Sequence, residues 1–315
     1  MQLVRQKEDK TQLGHRYAAG PRGRFGVAVA ALLVAALGTA CSGGSGAPDK
    51  AEKAKAAKGA EAGAAGALSA AEKAKAAQQA RVAAAKKWGL RKVPLTAPAA
   101  PKTKPEITTR DGFEVEDQEE YPPVFTTVPT EDKVVFLTID DGAEKDPEFL
   151  RMMQELKIPY TAFLSDYLVR DDYPYFKKMQ DAGVTLNNHT LNHRYMPALS
   201  YEKQREEICG QQDTIQKQFG KRPTLFRPPY GNYNQDTLKA AKSCGIKAVP
   251  LWNAEAFTNR MDYREWDRDL HPGDIILTHF RGKEDWKGTM PDMIRHVMKT
   301  VTDKGYAVAR LEDYL

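Results

Sequence analysis

Two histidines four residues apart, His189 and His193, sit among asparagine and threonine in a chain with only six histidines. On a helical turn, residues i and i+4 point to the same side, so two such rings can converge on one cation. Alone, the spacing also fits two polar residues on an exposed turn. Asp140 and Asp141 give the pair its weight. They stand side by side before Gly142, where a strand can end and both carboxylates can reach one mouth. Asp141 offers the hard oxygen of a two-imidazole, one-carboxylate set that leaves positions open for water and substrate. Asp140 is then free to act as a base. A divalent cation in such a set acidifies water toward neutral pH, which is the chemistry of hydrolysis.

Residues so far apart in the chain need a scaffold that gathers them. From about residue 106, short apolar runs alternate with helical stretches. Strands are expected at 134–140, 160–165, 184–190, 224–230, 247–252, 274–280 and 306–311. Helices are expected at 147–156, 173–182, 201–219, 235–243 and 290–304. This alternation predicts parallel βα units, and seven strands suit a distorted, incomplete barrel. Such folds present functional groups at the C-terminal ends of their strands. Asp140, Asp141, His189, the run from Arg227 to Tyr230, Trp252 and His279 all fall at such ends.

The formal charge of +5 is unevenly spread. Residues 1–104 hold 19 Lys and Arg against 6 Asp and Glu, and the remainder 28 against 36, so the tail is +13 and the rest −8. The tail has almost no aromatics to stack on bases, and the catalytic region is acidic, so no nucleic-acid partner is expected. Arg16, Arg22 and Arg24 precede an apolar run at 25–37, then small residues and Cys41. That is the order of an export signal over residues 1–41. "LGTACSGGSG" resembles the lipobox of bacterial lipoproteins, with Gly38 where leucine is usual. It implies a lipid anchor at Cys41, cleavage without acylation and a secreted product being the alternative. Residues 42–105, with "AEKAKAA" twice and a Pro-rich end, carry no apolar stripe and predict a mobile, partly helical spacer. Cys209 and Cys244 can pair in an oxidising compartment or lie as separate buried thiols.

The chain reads "TIDDG" at 138–142, "HTLNH" at 189–193, "RPPYG" at 227–231, "LWNAEAF" at 251–257 and "LTH" at 277–279. In that order these resemble the motifs of the NodB-type polysaccharide deacetylases, carbohydrate esterase family 4. The resemblance covers residues 131–315 and implies a distorted (β/α)7 barrel, here the domain at 106–315. It implies Asp140 as base, Asp141, His189 and His193 as ligands of a divalent metal such as Zn²⁺, and Arg227 as the group that orients Asp140. It also implies an oxyanion donor in the Tyr230 N–H, an acid in His279, and an acetyl slot formed by Trp252 and Leu277. The fourth motif departs from the family. In the family an aspartate there commonly tunes the catalytic histidine; here "WNAEAFTNRMD" offers Glu255 and, further on, Asp262 with no Asp-Trp pair, so either Glu255 takes that role or another group tunes His279.

The expected activity is removal of N-acetyl groups from an envelope glycan, peptidoglycan or chitin-like, by an exported monomer. One alternative is an O-acetyl esterase on xylan or a wall polysaccharide, another a wall-binding lipoprotein without turnover.

Overall fold

The computed structural model describes residues 69–110, 115 and 117–315. The expected export signal and Cys41 lie outside them. Among the described residues the strands are β1 (Val124–Phe125), β2 (Val134–Asp141), β3 (Thr161–Leu164), β4 (Thr185–Asn188), β5 (Val249–Pro250), β6 (Ala254–Ala256), β7 (Met261–Tyr263), β8 (Ile275–His279) and β9 (Ala307–Ala309). The α-helices are α1 (Ala70–Lys87), α2 (Pro147–Leu156), α3 (Asp166–Val169), α4 (Tyr173–Asp181), α5 (Tyr201–Phe219), α6 (Gln235–Ser243), α7 (Lys283–Trp286) and α8 (Met290–Asp303). None is long and apolar enough to cross a membrane.

β2 is the axis of the sheet, parallel to β3, β8 and β9, with β4 beyond β3 and β6 beyond β8. β7 is the antiparallel edge. Backbone hydrogen bonds carry the ring onward where regular strands stop. Asn188 N–H donates to Leu225 O, Phe226 N–H to Ala248 O, and β5 pairs with β1. Ile275 N–H donates to Thr126 O and closes the circuit at β8. The result is an α/β fold built on a distorted ring of strands. The strand expected at 224–230 is reduced to bridges at Leu225 and Phe226. Pro228 and Pro229 have no N–H to continue a ladder.

Alternation along β2 separates two cores. Val135, Leu137 and Ile139 pack outward with Phe149 of α2 and with Met293 and Val297 of α8. Val134 and Phe136 point inward with Phe125, Phe163 and Tyr314. Thr138 and Asp140 continue that inner face, so the first motif sits above an apolar plug.

The expectation that 42–105 carries nothing to bury does not hold for its C-terminal part. Ser69 and Glu72 form a capping box that starts α1. Ala84, Ala85 and Trp88 at its other end are buried in the outer core. Trp88 Nε1 donates to Glu155 at 2.7 Å, Lys87 pairs with the same carboxylate, and Arg295 Nε donates to Trp88 O. Small alanine faces pack closely without raising hydrophobic contrast, which is why no stripe is visible in the sequence.

Cys209 of α5 and Cys244 after α6 form a disulfide. It closes a loop of 35 residues, which by chain entropy contributes about 3–4 kcal/mol. Denaturant unfolding of the full chain with and without reductant should show that difference in ΔG, and overlapping curves would remove the bond's stabilising role.

Candidate active site

Asp140 and Asp141 end β2, and the chain leaves through Asp141 at φ +81° and Gly142 at φ +97°. A Cβ on Gly142 would lie 2.3 Å from Val169 Cγ1, so only glycine fits the exit. This turn lets neighbouring carboxylates, which a straight strand would point apart, face the same cluster. His279 ends β8 directly opposite Asp140 in register. His189 follows β4.

The two motif histidines do converge, but not on a helical turn. Residues 189–195 form a bent loop in which Thr190 and His193 adopt positive φ, 71° and 52°. The loop is held by α5. Leu191 N–H donates to Glu207 O, and the Glu207 carboxylate accepts from Asn192 N–H and Nδ2, each at 2.8 Å. Of eight described non-glycine residues with positive φ, four are here: Asp141, Thr190, His193 and Tyr230. Strain of that kind persists where surrounding structure over-determines a functional geometry.

Asp141 Oδ1 lies 3.5 Å from His189 Nε2 and 3.3 Å from His193 Nε2. It is buried and accepts no hydrogen bond. His189 Nδ1 is 2.7 Å from Arg227 O, and because a carbonyl only accepts, Nδ1 carries the proton and Nε2 presents its lone pair. An orphaned carboxylate oxygen and imidazole nitrogens within 4.8 Å of one another fit a divalent cation. The electrostatics of Asp141 and His193 agree with that reading, while His189 must give up any Nε2 proton to hold a cation. Burial alone would raise the Asp141 carboxyl, but His189, His279 and His193 hold it well below the usual range. Burial would lower His189, but Asp140 and Asp141 keep it above the ordinary value. Burial and then the adjacent His189 push His193 down to about 4.

Arg227 is fully buried and its fork is spent on fixed partners. Nε donates to Pro250 O, Nη2 to Leu251 O, and Nη1 to both Thr138 Oγ1 and Asp140 Oδ1 at 2.8 Å. Its guanidinium stacks 4.4 Å from the Phe163 ring centroid. Asp140 Oδ2 is left toward the cluster, 3.7 Å from His189 Nε2. Burial lowers the Arg227 pKa from its usual value, and Asp140 opposes that shift.

His279 Nδ1 faces Glu255 Oε1 at 3.7 Å, and burial raises the Glu255 pKa. The structure therefore brings the fourth-motif carboxylate to the histidine. Leu277, two residues before His279 on the same strand face, is buried between Thr138 of β2 and Glu255 of β6 in register. Trp252 is half-buried, with its indole over Gly231 and 5.8 Å from the Arg227 guanidinium. Tyr230 is half-exposed and its ring lies 4.7 Å from that of His193.

One contributor was not foreseen. Arg281 Nη2 donates to Asp141 Oδ2 at 2.7 Å and occupies the oxygen that faces away from the histidines. Only its place two residues beyond His279 could have drawn notice.

The polysaccharide deacetylase family model matches residues 127–249. An uncharacterised protein of Streptomyces coelicolor is 40% identical over 62% of this chain and 78% of its own length. The chain belongs to the NodB-type polysaccharide deacetylases, carbohydrate esterase family 4. A peptidoglycan-N-acetylglucosamine deacetylase of Bacillus cereus is 28% identical over 60% of this chain and 91% of its own. A family 4 carbohydrate esterase structure from Bacillus anthracis superposes with a TM-score of 0.50 at 27% identity, covering 61% of this deacetylase and 86% of that chain. The chain is a hydrolase, and the convergent residues above are its candidate machinery.

Proposed function

We propose that this deacetylase removes N-acetyl groups from a cell-envelope amino-sugar polymer, with peptidoglycan as the first candidate. The observation that carries the reading is the convergence of Asp141, His189 and His193, with Asp140 beside them and the His279–Glu255 pair next to Asp140 in register. The peptidoglycan deacetylases among its relatives support the choice of glycan.

Asp141, His189 and His193 would hold a divalent ion, zinc being the one we propose for an imidazole and carboxylate set with open positions. When bound, it supplies Lewis acidity, polarising the acetyl carbonyl and acidifying water. Asp140 takes the proton of the attacking water, with Arg227 holding one of its oxygens so that the other stays aimed at the site. A C–O bond forms at the acetyl carbon, and the Tyr230 N–H helps to stabilise the resulting oxyanion. The C–N bond then breaks as His279, oriented by Glu255, gives a proton to the departing amine. Trp252 and Leu277 shape the space for the methyl group. The products are acetate and a free amino sugar. We place the enzyme outside the cell as a monomer held to the membrane through Cys41.

The purified full chain, incubated with peptidoglycan and with acetylated chitooligosaccharides, should release acetate. Exhaustive chelation should abolish release, and restoring zinc should return it. Absence of acetate from both glycans with the metal restored would overturn the reading.

A further inference from the structure

Trp266 is 91% exposed, far more than any other large apolar side chain among the described residues. It lies in the turn between β7 and β8, and nothing in the fold requires an indole there. A single exposed aromatic is unremarkable in itself. Its surroundings are not. Trp266 forms one side of an open cleft of about 430 Å³, lined also by Thr127, Thr130, Asn253, Asp267 and His271.

The cleft wall is built from interlocked polar groups. Asn253 and Asp274 are buried, and Asn253 Nδ2 donates to Asp274 Oδ1 at 2.9 Å. Arg110 donates to Asn253 Oδ1, to Thr126 Oγ1 and to the Glu265 carboxylate next to Trp266. His271 N–H donates to Asp274 Oδ2, and His271 Nε2 lies 3.0 Å from Asp267 Oδ2. The backbone beneath is equally set. Val128 N–H donates to Gly273 O, and a Cβ on Gly273 would lie 1.9 Å from Val128 O. Each carboxylate on the rim has a cationic or N–H partner, so the cleft is polar without being an ion trap. The wall's donors are spent on one another, but its carboxylate and threonine oxygens can accept again, and acceptors held rigidly beside an exposed indole suit a ligand with hydroxyls around its edge and an apolar C–H face, which is the chemistry of a neutral pyranose chain.

The cleft is not the reacting site. Asp274 precedes β8, whose far end carries His279, and five residues of strand separate the two by about 16 Å. We propose that this cleft is a second, non-catalytic glycan-binding site, in which Trp266 stacks on a sugar ring of the acetylated polymer and holds it near the enzyme. The proposal rests on the deacetylase acting on a polymer, for which a second contact raises the effective concentration of further acetyl groups.

The test uses the full chain and insoluble chitin, a neutral polymer to which the basic tail has no charge attraction. Depletion from solution gives binding, and acetate release from a short soluble chitooligosaccharide gives activity at the reacting site. Trp266→Ala should weaken chitin binding about 3–10-fold, the range of an aromatic stacking contact, with release from the soluble substrate unchanged. Trp266→Phe should retain most of the binding. Wild-type binding by Trp266→Ala overturns the proposal, as does an equal loss with Trp266→Phe. If the wild-type chain releases no acetate yet binding still falls with Trp266→Ala, the deacetylase reading fails and the glycan site stands.

Discussion

Asp140→Asn lowers acetate release per folded molecule by about 10²–10⁴-fold, the usual contribution of a general base, with metal content unchanged. Both halves of that expectation come from geometry. Asp140 Oδ1 is held by Arg227 while Oδ2 faces the cluster, and the three side chains proposed to hold a metal do not include it. Asparagine keeps the shape and an acceptor for Arg227 but cannot take a proton. The same change removes the negative partner of a guanidinium buried at 0% exposure, and breaking such a pair costs about 3–5 kcal/mol. Melting should therefore be measured beside turnover, so that lost protein is not counted as lost chemistry. Release within tenfold of wild type, corrected for folded fraction, would remove Asp140 from the role of base.

His279→Ala should cost about 10²–10⁴-fold in N-acetyl hydrolysis and less than about tenfold with an aryl acetate, because a phenolate departs without a proton and an amine does not. His279 is the register partner of Asp140 on the neighbouring parallel strand, so base and acid stand side by side at the same rim. Glu255, 3.7 Å from Nδ1, lies where it can stabilise the protonated ring. Parallel kinetics on the two substrates decide the matter. Equal losses on both would show that His279 supports the site's structure and does not donate the proton.

The helices were legible where their ends carry chemical punctuation. Ser200 caps α5 and Gly220 stops it in the left-handed conformation, and Thr289 with Asp292 boxes the start of α8. The ordered motifs likewise identified the residues that meet at the strand ends. Periodicity failed where the backbone leaves regular structure. His189 and His193 meet through left-handed residues in a loop pinned by Glu207, a geometry that i, i+4 spacing cannot express. The segment 224–230 read as a strand because its residues are apolar, but its prolines leave only two bridges. β6 passed unseen inside a motif read for its chemistry, and β7 lies just beyond that motif where no strand was expected. Arg281 was silent because an arginine in a loop has no pattern until its partner is known.

The docking of α1 sets a length scale for the proposed anchored enzyme. Were all of 42–105 loose, the catalytic unit could stand up to about 220 Å from Cys41. With Trp88 buried and α1 fixed from its cap at Ser69, the contour length of residues 42–68 sets an upper bound of about 100 Å. In the proposed anchored enzyme the docked helix would act as a leash shortener, holding the deacetylase to glycan within that reach of the membrane. Untying Trp88 would extend its range outward without altering a single atom of the active site.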